Sequence, residues 1–361
     1  MLRRKFNLIW LALAAAAVIA SLWLTFSTSF MARHDRFDDM LAASYKMTEA
    51  SMTVKEMRIG IAVPIVPSDD PNLTGLIGQE LTDITTTVGN LQSKRTSTNP
   101  DFAALTVRYF DELGLVPGDR VAVGASGSFP GIILSVLSAC YVTGVEPVII
   151  PSIGASEYGA NIPGVTSVEI IDGLREAGVF DYVPAAISLG GAGDTGDGGI
   201  IADAKPILQR IADESGHAII VPADTVDSIR KRMEYFEADG EVKVFINIGG
   251  AEPNFGSTSA SLEVPNGLVR TAPRKVDSPD MGLIFEYLNR GIPVIHFLDI
   301  KGLATKSGIP VDPVPLPQPG TSMVYYQRKY QKAYAAAGLL LAAALIGLPA
   351  LAGRRGKLVQ K

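Results

Sequence analysis

The chain of 361 residues contains one cysteine, Cys140, and only three histidines. A single cysteine excludes an intramolecular disulfide and a cysteine-based metal cluster. Cys140 lies in the apolar run 132–142, which predicts a small buried hydrophobic side chain. No H-E-x-x-H motif and no Walker A sequence is present either, so we predict neither a metal site nor a cofactor.

Two long stretches lack charge altogether, and every acidic residue lies between them. Residues 6–32 and 333–353 contain no Asp, Glu, Lys or Arg. As a helix, each could cross a hydrocarbon core of about 30 Å at about 1.5 Å rise per residue. We therefore predict one transmembrane helix at each end. The alternatives are a cleaved signal peptide for the first stretch and a buried core helix for the second.

Both predicted tails, 1–5 and 354–361, are basic and contain no carboxylate. The positive-inside rule places such tails in the cytoplasm, so we expect the large domain outside a bacterial cytoplasmic membrane. The tails hold seven of the 32 basic residues. This leaves 25 basic residues against all 37 acidic ones in the outer region, a formal charge of −12. That charge argues against nucleic acid as a partner.

Three segments are predicted between the spans. Residues 33–57 read as an amphipathic membrane-proximal helix, 58–307 as an α/β domain, and 308–332 as a strut. Prolines at 310, 313, 315, 317 and 319 favour an extended polyproline-like conformation for the strut. It would hold the domain at a set distance from the bilayer.

Short apolar strands alternate with helices along most of the domain. Strands are predicted at 120–123, 147–150, 185–189, 217–221, 242–248 and 293–298. Helices are predicted at 132–143, 202–215, 226–239 and 282–289. This alternation predicts an α/β fold with a mostly parallel sheet covered on both faces.

The first part of the domain is predicted from weaker patterns. We expect a strand over 58–66, a helix over 73–91 and a polar stretch over 93–99. Asn99 and Pro100 suit the start of a helix over 101–113.

Three predicted strands end in glycine-rich turns, at 124–128, 190–199 and 249–250. In open α/β sheets, ligands bind beyond the carboxyl ends of strands, where glycine lets backbone amides approach an anion. The expected guest is a carboxylate or a phosphate. The candidate binding residues are Ser126, Gly127, Ser128, Gly190, Gly191, Gly249 and Gly250. Tight turns without a ligand are the alternative.

Charged residues add further candidates, each with a simpler alternative. Lys94 and Arg95 could bind a carboxylate, or they could lie in a solvated loop. Asp194 and Asp197 could hold a hard cation, although a mobile surface loop is the favoured interpretation. The run 230–232 is expected to be an exposed basic helix face.

A serine hydrolase is the alternative function. Ser126 and Ser128 resemble part of a nucleophile elbow, but G-x-S-x-G is not met because position 128 is Ser. A triad of Ser126, His296 and Asp299 can be written from the sequence. Ser228 and Lys231 match S-x-x-K, a spacing that is common by chance. Such an enzyme would be an amide hydrolase or transferase.

Several stretches also carry a family resemblance. They are the N-terminal anchor, residues 93–100, residues 115–124 running into Ser126, residues 246–250, the proline-rich 311–319 and the C-terminal span. Together they resemble the poly-gamma-glutamate system protein family. The resemblance implies a non-enzymatic accessory protein in synthesis or export of this capsule-like polymer. Its implied partners are the membrane, other synthesis and export proteins and the polymer itself. A scaffold with an empty cleft is a third interpretation.

Overall fold

The computed structural model describes residues 8–358, and for 348–358 it describes the backbone alone. The described chain divides into two compact units. One unit combines residues 8–34 with 326–358, and the other comprises residues 35–325. The predicted tail 1–5 lies outside the described residues, as do residues 359–361 of the other tail.

The terminal unit is a pair of helices joined by a two-stranded ribbon. Its elements are α1 (Leu8–Ser27), β1 (Phe30–Arg33), β11 (Tyr326–Lys329) and α12 (Lys332–Leu358). Strands β1 and β11 pair antiparallel, and helices α1 and α12 pack against each other. A Cβ atom on Gly338 would clash with Ser21, so glycine permits the close approach of the helices at this point.

Helix α1 is long and apolar enough to cross a membrane, in agreement with the first predicted span. The second predicted span, 333–353, is not supported. Within the described side chains, the apolar part of α12 is Lys332–Gly347. This part is shorter than the roughly 20 residues that a crossing helix needs.

The large unit is an α/β domain built on a five-stranded sheet. In spatial order the strands are β4 (Glu146–Pro151), β3 (Arg120–Ala125), β8 (Val242–Ile248), β10 (Val294–Phe297) and β9 (Gly267–Val269). The first four run parallel, and β9 is antiparallel to β10. The expectation of a mostly parallel sheet is confirmed.

Two short parallel strand pairs lie beside this sheet. They are β6 (Ile187–Ser188) with β7 (Ile219–Ile220), and β2 (Thr85–Thr87) with β5 (Ala155–Ser156). Ser152, just after β4, forms a parallel bridge with Ser188. The carboxyl end of β6 therefore lies at the same edge as the end of β4.

Helices cover both faces of the sheet. They are α2 (Phe37–Gly60), α3 (Leu91–Ser97), α4 (Asp101–Leu113), α5 (Pro130–Thr143), α6 (Ser167–Glu176), α7 (Lys205–Ser215), α8 (Thr225–Glu237), α9 (Glu252–Phe255), α10 (Gly282–Asn289) and α11 (Ile300–Ser307), with 3₁₀ turns at Ser259–Glu263 and Met323–Tyr325. Ala122 and Phe245 belong to the core that includes α8 and α10 residues. Val121 and Val123 alternate with Ala122 and are also buried, so the opposite face is covered too.

The strands and helices predicted from residue 120 onward are all present, with ends shifted by at most three residues. Upstream, two expectations are wrong. Residues 58–66 contain no strand, and 73–91 form turns and β2 instead of a helix. The polar stretch 93–99 lies largely in helix α3. The physical reason for the irregular course is Arg58. Its buried guanidinium donates to the carbonyl oxygens of Ile77 and Pro64. These carbonyl groups are therefore hydrogen-bonded without the backbone N–H of a neighbouring strand.

The two segments expected to connect the domain to the membrane pack on the large unit instead. Helix α2 buries Met40, Met47 and Val54 and contacts α4 and α5. The proline-rich segment, up to residue 325, belongs to the large unit and is not a free strut. Asn72 Nδ2 donates to Pro313 O at 2.9 Å, and Asn72 Oδ1 accepts from Leu316 N at 3.1 Å. Carbonyl and amide groups that an extended chain leaves free thus find side-chain partners on the domain.

Candidate functional site

A single cleft of about 400 Å³ lies at the carboxyl edge of the sheet. All three glycine-rich turns line it. Ser126 and Ser128 come from the first turn, Gly190, Gly191 and Asp194 from the second, and Gly250, Ala251 and Glu252 from the third. Thr86 and Thr87 of β2 and Ser152 after β4 complete much of the wall. Turns that lie about 50 residues or more apart in the sequence therefore meet in one concave space.

The cleft lies at the topological switch point of the sheet. Strand β3 has its sequence neighbour β4 on one side and the much later β8 on the other. In doubly wound sheets a crevice opens beyond the ends of two such strands, because the connections that leave them cover opposite faces. Ser126 N donates to Ile248 O at 2.9 Å, which continues the pairing of β3 and β8 to the floor of the cleft.

The first turn presents a linked pair of hydroxyl groups. Ser126 Oγ donates to Ser128 Oγ at 3.0 Å, and Ser156 N donates to Ser128 Oγ at 3.1 Å. Gly127 lies so close to neighbouring backbone that an added Cβ would be 3.0 Å from Ser152 O. The close packing fixes the two hydroxyls at the cleft wall.

The second turn is held by a buried ion pair. The Asp194 carboxylate lies 2.8 Å from an Arg232 nitrogen, and each side chain is only 1% exposed. Ser188 Oγ and Ser228 Oγ each donate to the same carboxylate at 2.7 Å. Asp194 is therefore neutralised, and this part of the turn is neither a mobile loop nor a cation site. Asp197 is exposed and pairs with Lys205 at 3.4 Å. The described residues contain no group of three or more potential metal ligands.

Arg232 is a structural residue of the site that the sequence interpretation missed. Arg230 and Lys231 are solvent-facing as expected, but Arg232 is buried. The available signal was helical spacing, because 228, 232 and the buried Phe236 lie on one face of α8. Ser228 points to Asp194 and Lys231 pairs with Asp227, so the S-x-x-K match does not form a pair.

The third turn contributes the acidic wall of the cleft. Glu252 accepts hydrogen bonds from Gly193 N at 2.7 Å and from Thr225 Oγ1 at 3.0 Å. No basic side chain among the described residues forms an ion pair with it. The amides of Gly250 and Ala251 have no intramolecular hydrogen bond within the described chain. The turn therefore offers both an anionic group and free backbone donors.

Lys94 lies behind the first turn. Its Nζ donates to Ser128 O and, at 2.6 Å, to Ser156 Oγ, and it lies 4.0 Å from the centre of the Phe129 ring. The residue is 2% exposed. Burial lowers the pKa of Lys94 from 10.5 to about 7, and nearby Glu157 opposes part of this shift. An amine with this pKa is divided between its charged and neutral forms near neutral pH.

Arg95 does not join Lys94 in one basic strip. Its guanidinium donates to the carbonyl oxygens of Ser68 and Asp69, and it lies 3.6 Å from the Asp312 carboxylate. These contacts attach the proline-rich segment to the domain. Neither of the two predicted basic residues lines the cleft: Arg95 is a packing residue elsewhere on the domain, and Lys94 lies behind the first turn.

His296 and Asp299 do not form a triad with Ser126. His296 Nδ1 lies 2.9 Å from Asn247 Nδ2, and burial lowers the pKa of His296 to about 4. The Asp299 carboxylate accepts from Gly302 N at 3.0 Å and caps helix α11. The Ser126 hydroxyl is directed to Ser128 instead. Gly249, at φ +79°, packs beside Ser126 and lets the third turn approach the first.

Comparisons with protein-family models, curated proteins and solved structures found no match to this chain. The function of the cleft is therefore inferred from the groups that line it. Hydroxyl groups and free amides surround a polar space, an acidic side chain lies on one wall, and a buried amine lies behind another. Such a set can hydrogen-bond a carboxylate and an amide of the same ligand.

We predict that Arg232→Ala lowers the free energy of unfolding by about 3–5 kcal/mol, because it leaves the Asp194 charge buried and unpaired. Arg230→Ala is the matched control. Its ion pairs are exposed and screened by solvent, so a much smaller loss than that of Arg232→Ala is expected. Urea unfolding of both variants measures the difference. Equal losses for the two variants would contradict the structural role of the buried pair.

We also predict a pH-dependent effect of Lys94→Met. The pKa of Lys94 is lower in the folded state, so the unfolded chain binds more protons between about pH 7 and 10. Wild-type stability should therefore rise with pH relative to the variant, by at most about 1.4 kcal/mol per pH unit. Unfolding titrations of both proteins across this range provide the measurement. Parallel stability curves would show that Lys94 titrates normally.

Proposed function

We propose that this protein is a membrane-anchored accessory component of poly-gamma-glutamate synthesis or export, and that its cleft binds a carboxylate-bearing chain end. The observation that carries the binding role is the meeting of the three glycine-rich turns in one cleft. The resemblance of residues 93–100, 115–124 and 246–250 to the poly-gamma-glutamate system protein family supports the pathway.

The size and charge of the site favour a chain end over a long segment. A volume of about 400 Å³ falls within the usual range of small-ligand sites. The formal charge of −12 on the outer region would repel a long polyanion, but this repulsion is screened over about 8 Å at physiological ionic strength. The hydroxyl of Thr87 and the free amides of Gly250 and Ala251 would then donate hydrogen bonds to a carboxylate locally. Acidic surroundings would also keep the polymer from adhering elsewhere.

The proposed location is the cytoplasmic membrane of a bacterium, with the large unit outside. Helix α1 provides one crossing, and α12 is proposed as the second. Support for α12 comes from its packing on α1 and from the absence of charge in residues 333–353. The basic tails favour cytoplasmic ends. In this arrangement the membrane and the other synthesis and export proteins are the partners.

We expect the full chain in nanodiscs to bind a γ-linked glutamate trimer, and Gly250→Phe to weaken this binding at least tenfold by filling the cleft. The nearest atom to a Cβ on Gly250 is Leu298 Cδ1 at 3.6 Å, an ordinary van der Waals contact, so a side chain can start from this position without a clash. Gly60→Phe is the control, because an added Cβ meets nothing within 4 Å there. Calorimetry measures the affinities. Lack of binding by the wild type would refute the ligand, and unchanged surface polymer after gene deletion would refute the pathway.

We expect protease added to intact spheroplasts to digest the large unit and to spare tags on both tails. The physical reason is that both apolar helices would cross the bilayer and leave the acidic region outside. Immunoblots against the two tags and the large unit give the result. Protection of the large unit would contradict the topology, while protection of one tag alone would leave a single crossing at α1.

A further inference from the structure

We propose that the cleft recognises the amino end of its ligand, with Glu252 as the residue that binds a terminal ammonium group. The ligand class is a unit that carries an α-ammonium and an α-carboxylate on the same carbon atom. That this unit belongs to a γ-linked glutamate chain rests on the function proposed above. The recognition of the paired charges does not rest on it.

The charge balance of the cleft favours a ligand with a cationic group. Among the described residues that line the cleft, only Asp194 and Glu252 carry a charge, and both are acidic. The Asp194 carboxylate is neutralised by Arg232 at 2.8 Å, whereas no basic side chain of the described chain pairs with Glu252. The cleft therefore holds one uncompensated negative charge. This charge would repel a ligand that brings carboxylates alone.

Glu252 is held in place and keeps part of its hydrogen-bonding capacity. One carboxylate oxygen accepts from Gly193 N at 2.7 Å, and the other accepts from Thr225 Oγ1 at 3.0 Å. An ionised carboxylate offers about four acceptor positions, so about two remain for a ligand. An ammonium group has only donors to present and matches these positions. Because the carboxylate is already oriented, binding requires little further ordering of this side chain.

Ser152 provides a second and independent sign of a ligand. The residue is only 2% exposed and lines the cleft. Its carbonyl oxygen accepts from Ser167 Oγ at 2.6 Å, but its own hydroxyl has no hydrogen-bond partner among the described residues. Buried hydroxyl groups are normally hydrogen-bonded. Ser152 Oγ is thus available to donate to the α-carboxylate of the ligand, together with the free amides of Gly250 and Ala251.

The second turn brings Glu252 and Ser152 to the same part of the cleft. Gly193 in this turn donates to Glu252, and a Cβ on Gly190 would lie 3.4 Å from Ser152 Oγ. The two side chains therefore lie against positions only three residues apart in one tight turn. This arrangement suits a unit whose opposite charges share a carbon atom.

A γ-linked glutamate chain carries such a unit at one end only. Each bond joins a γ-carboxyl group to the α-amino group of the next unit, so the amino end keeps a free ammonium beside its α-carboxylate. Inner units have an amide nitrogen in that place, and the carboxyl end bears two carboxylates. Glu252 therefore attracts the amino end and disfavours the rest of the chain by an unpaired charge or by like-charge repulsion.

The test compares a γ-linked glutamate trimer with its N-acetylated form, by calorimetry on the full chain in nanodiscs. Acetylation removes the ammonium and leaves every carboxylate. We expect the wild type to bind the free trimer more tightly by about tenfold or more, because one charge pair is lost on acetylation. Glu252→Gln should bring the two affinities within about threefold by weakening the binding of the free trimer alone.

Glu241→Gln is the matched control, because it removes the same charge one residue before β8, at the opposite edge of the sheet. The Glu241 side chain is 75% exposed, so the substitution should leave the preference for the free trimer unchanged. Glutamine at 252 can still accept from Gly193 N and can donate to Thr225 Oγ1, which keeps both internal contacts.

Ser152→Ala tests the carboxylate contact separately. Its affinity for both trimers should fall by about tenfold, because both keep the α-carboxylate. The thermal midpoint of the free protein should not fall, since the hydroxyl makes no internal hydrogen bond in the described chain. A lower midpoint with unchanged affinity would show that Ser152 is a structural residue and overturn its role.

Each outcome of the comparison decides between the two proposals. Equal affinity of the wild type for both trimers, or a preference that Glu252→Gln retains, overturns recognition of the amino end and leaves chain binding standing. Free glutamate and N-acetylglutamate form the second arm. Preference for glutamate without trimer binding supports recognition of the paired charges and refutes the polymer as ligand. Lack of binding by all four compounds overturns both.

Discussion

The parallel pairing of β3 with β8 is the constraint on which the rest of the large unit depends. Strands separated by more than 100 residues lie side by side, and their order creates the switch point at which the cleft opens. Ser126 follows the first strand and Gly250 the second, so the same pairing that builds the core also assembles the site. Both strands are buried on two faces. A shift in the register of either strand would therefore expose apolar side chains that are now buried.

Three buried cations show how differently one chain can use a charge in its interior. Arg58 satisfies backbone carbonyls in a segment without regular structure. Arg232 neutralises Asp194 and fixes the second turn. Lys94 differs from both arginines. It bonds to one backbone carbonyl and one hydroxyl group, and no carboxylate of the described residues forms an ion pair with it. Burial of a group without a counter-charge is costly, and such groups concentrate at functional sites.

Much of the fold was predictable because its elements are local. Helix α10 and strand β8 begin and end where the apolar patterns predicted, since periodicity and glycine turns determine them within a few residues. Helices α6 and α11 and the antiparallel β9 were not anticipated. The irregular course of residues 61–84 could not be predicted, because it depends on Arg58 reaching carbonyl groups up to 19 residues away. Side chains that replace backbone partners leave no periodic signal.

Some features of the site also follow from local sequence, and others follow only from the tertiary structure. By itself the sequence determined that three strands end in glycine-rich turns and that an apolar helix able to span a membrane lies near the start, because both depend on neighbouring residues alone. Only the tertiary structure decided that the turns share a cleft, that Arg232 is buried with Asp194, and that Lys94 lies against Ser128 and Ser156. The side-chain contacts among these join residues 34 to 62 positions apart in the sequence. Their geometry comes from strand order and packing, which local patterns do not encode.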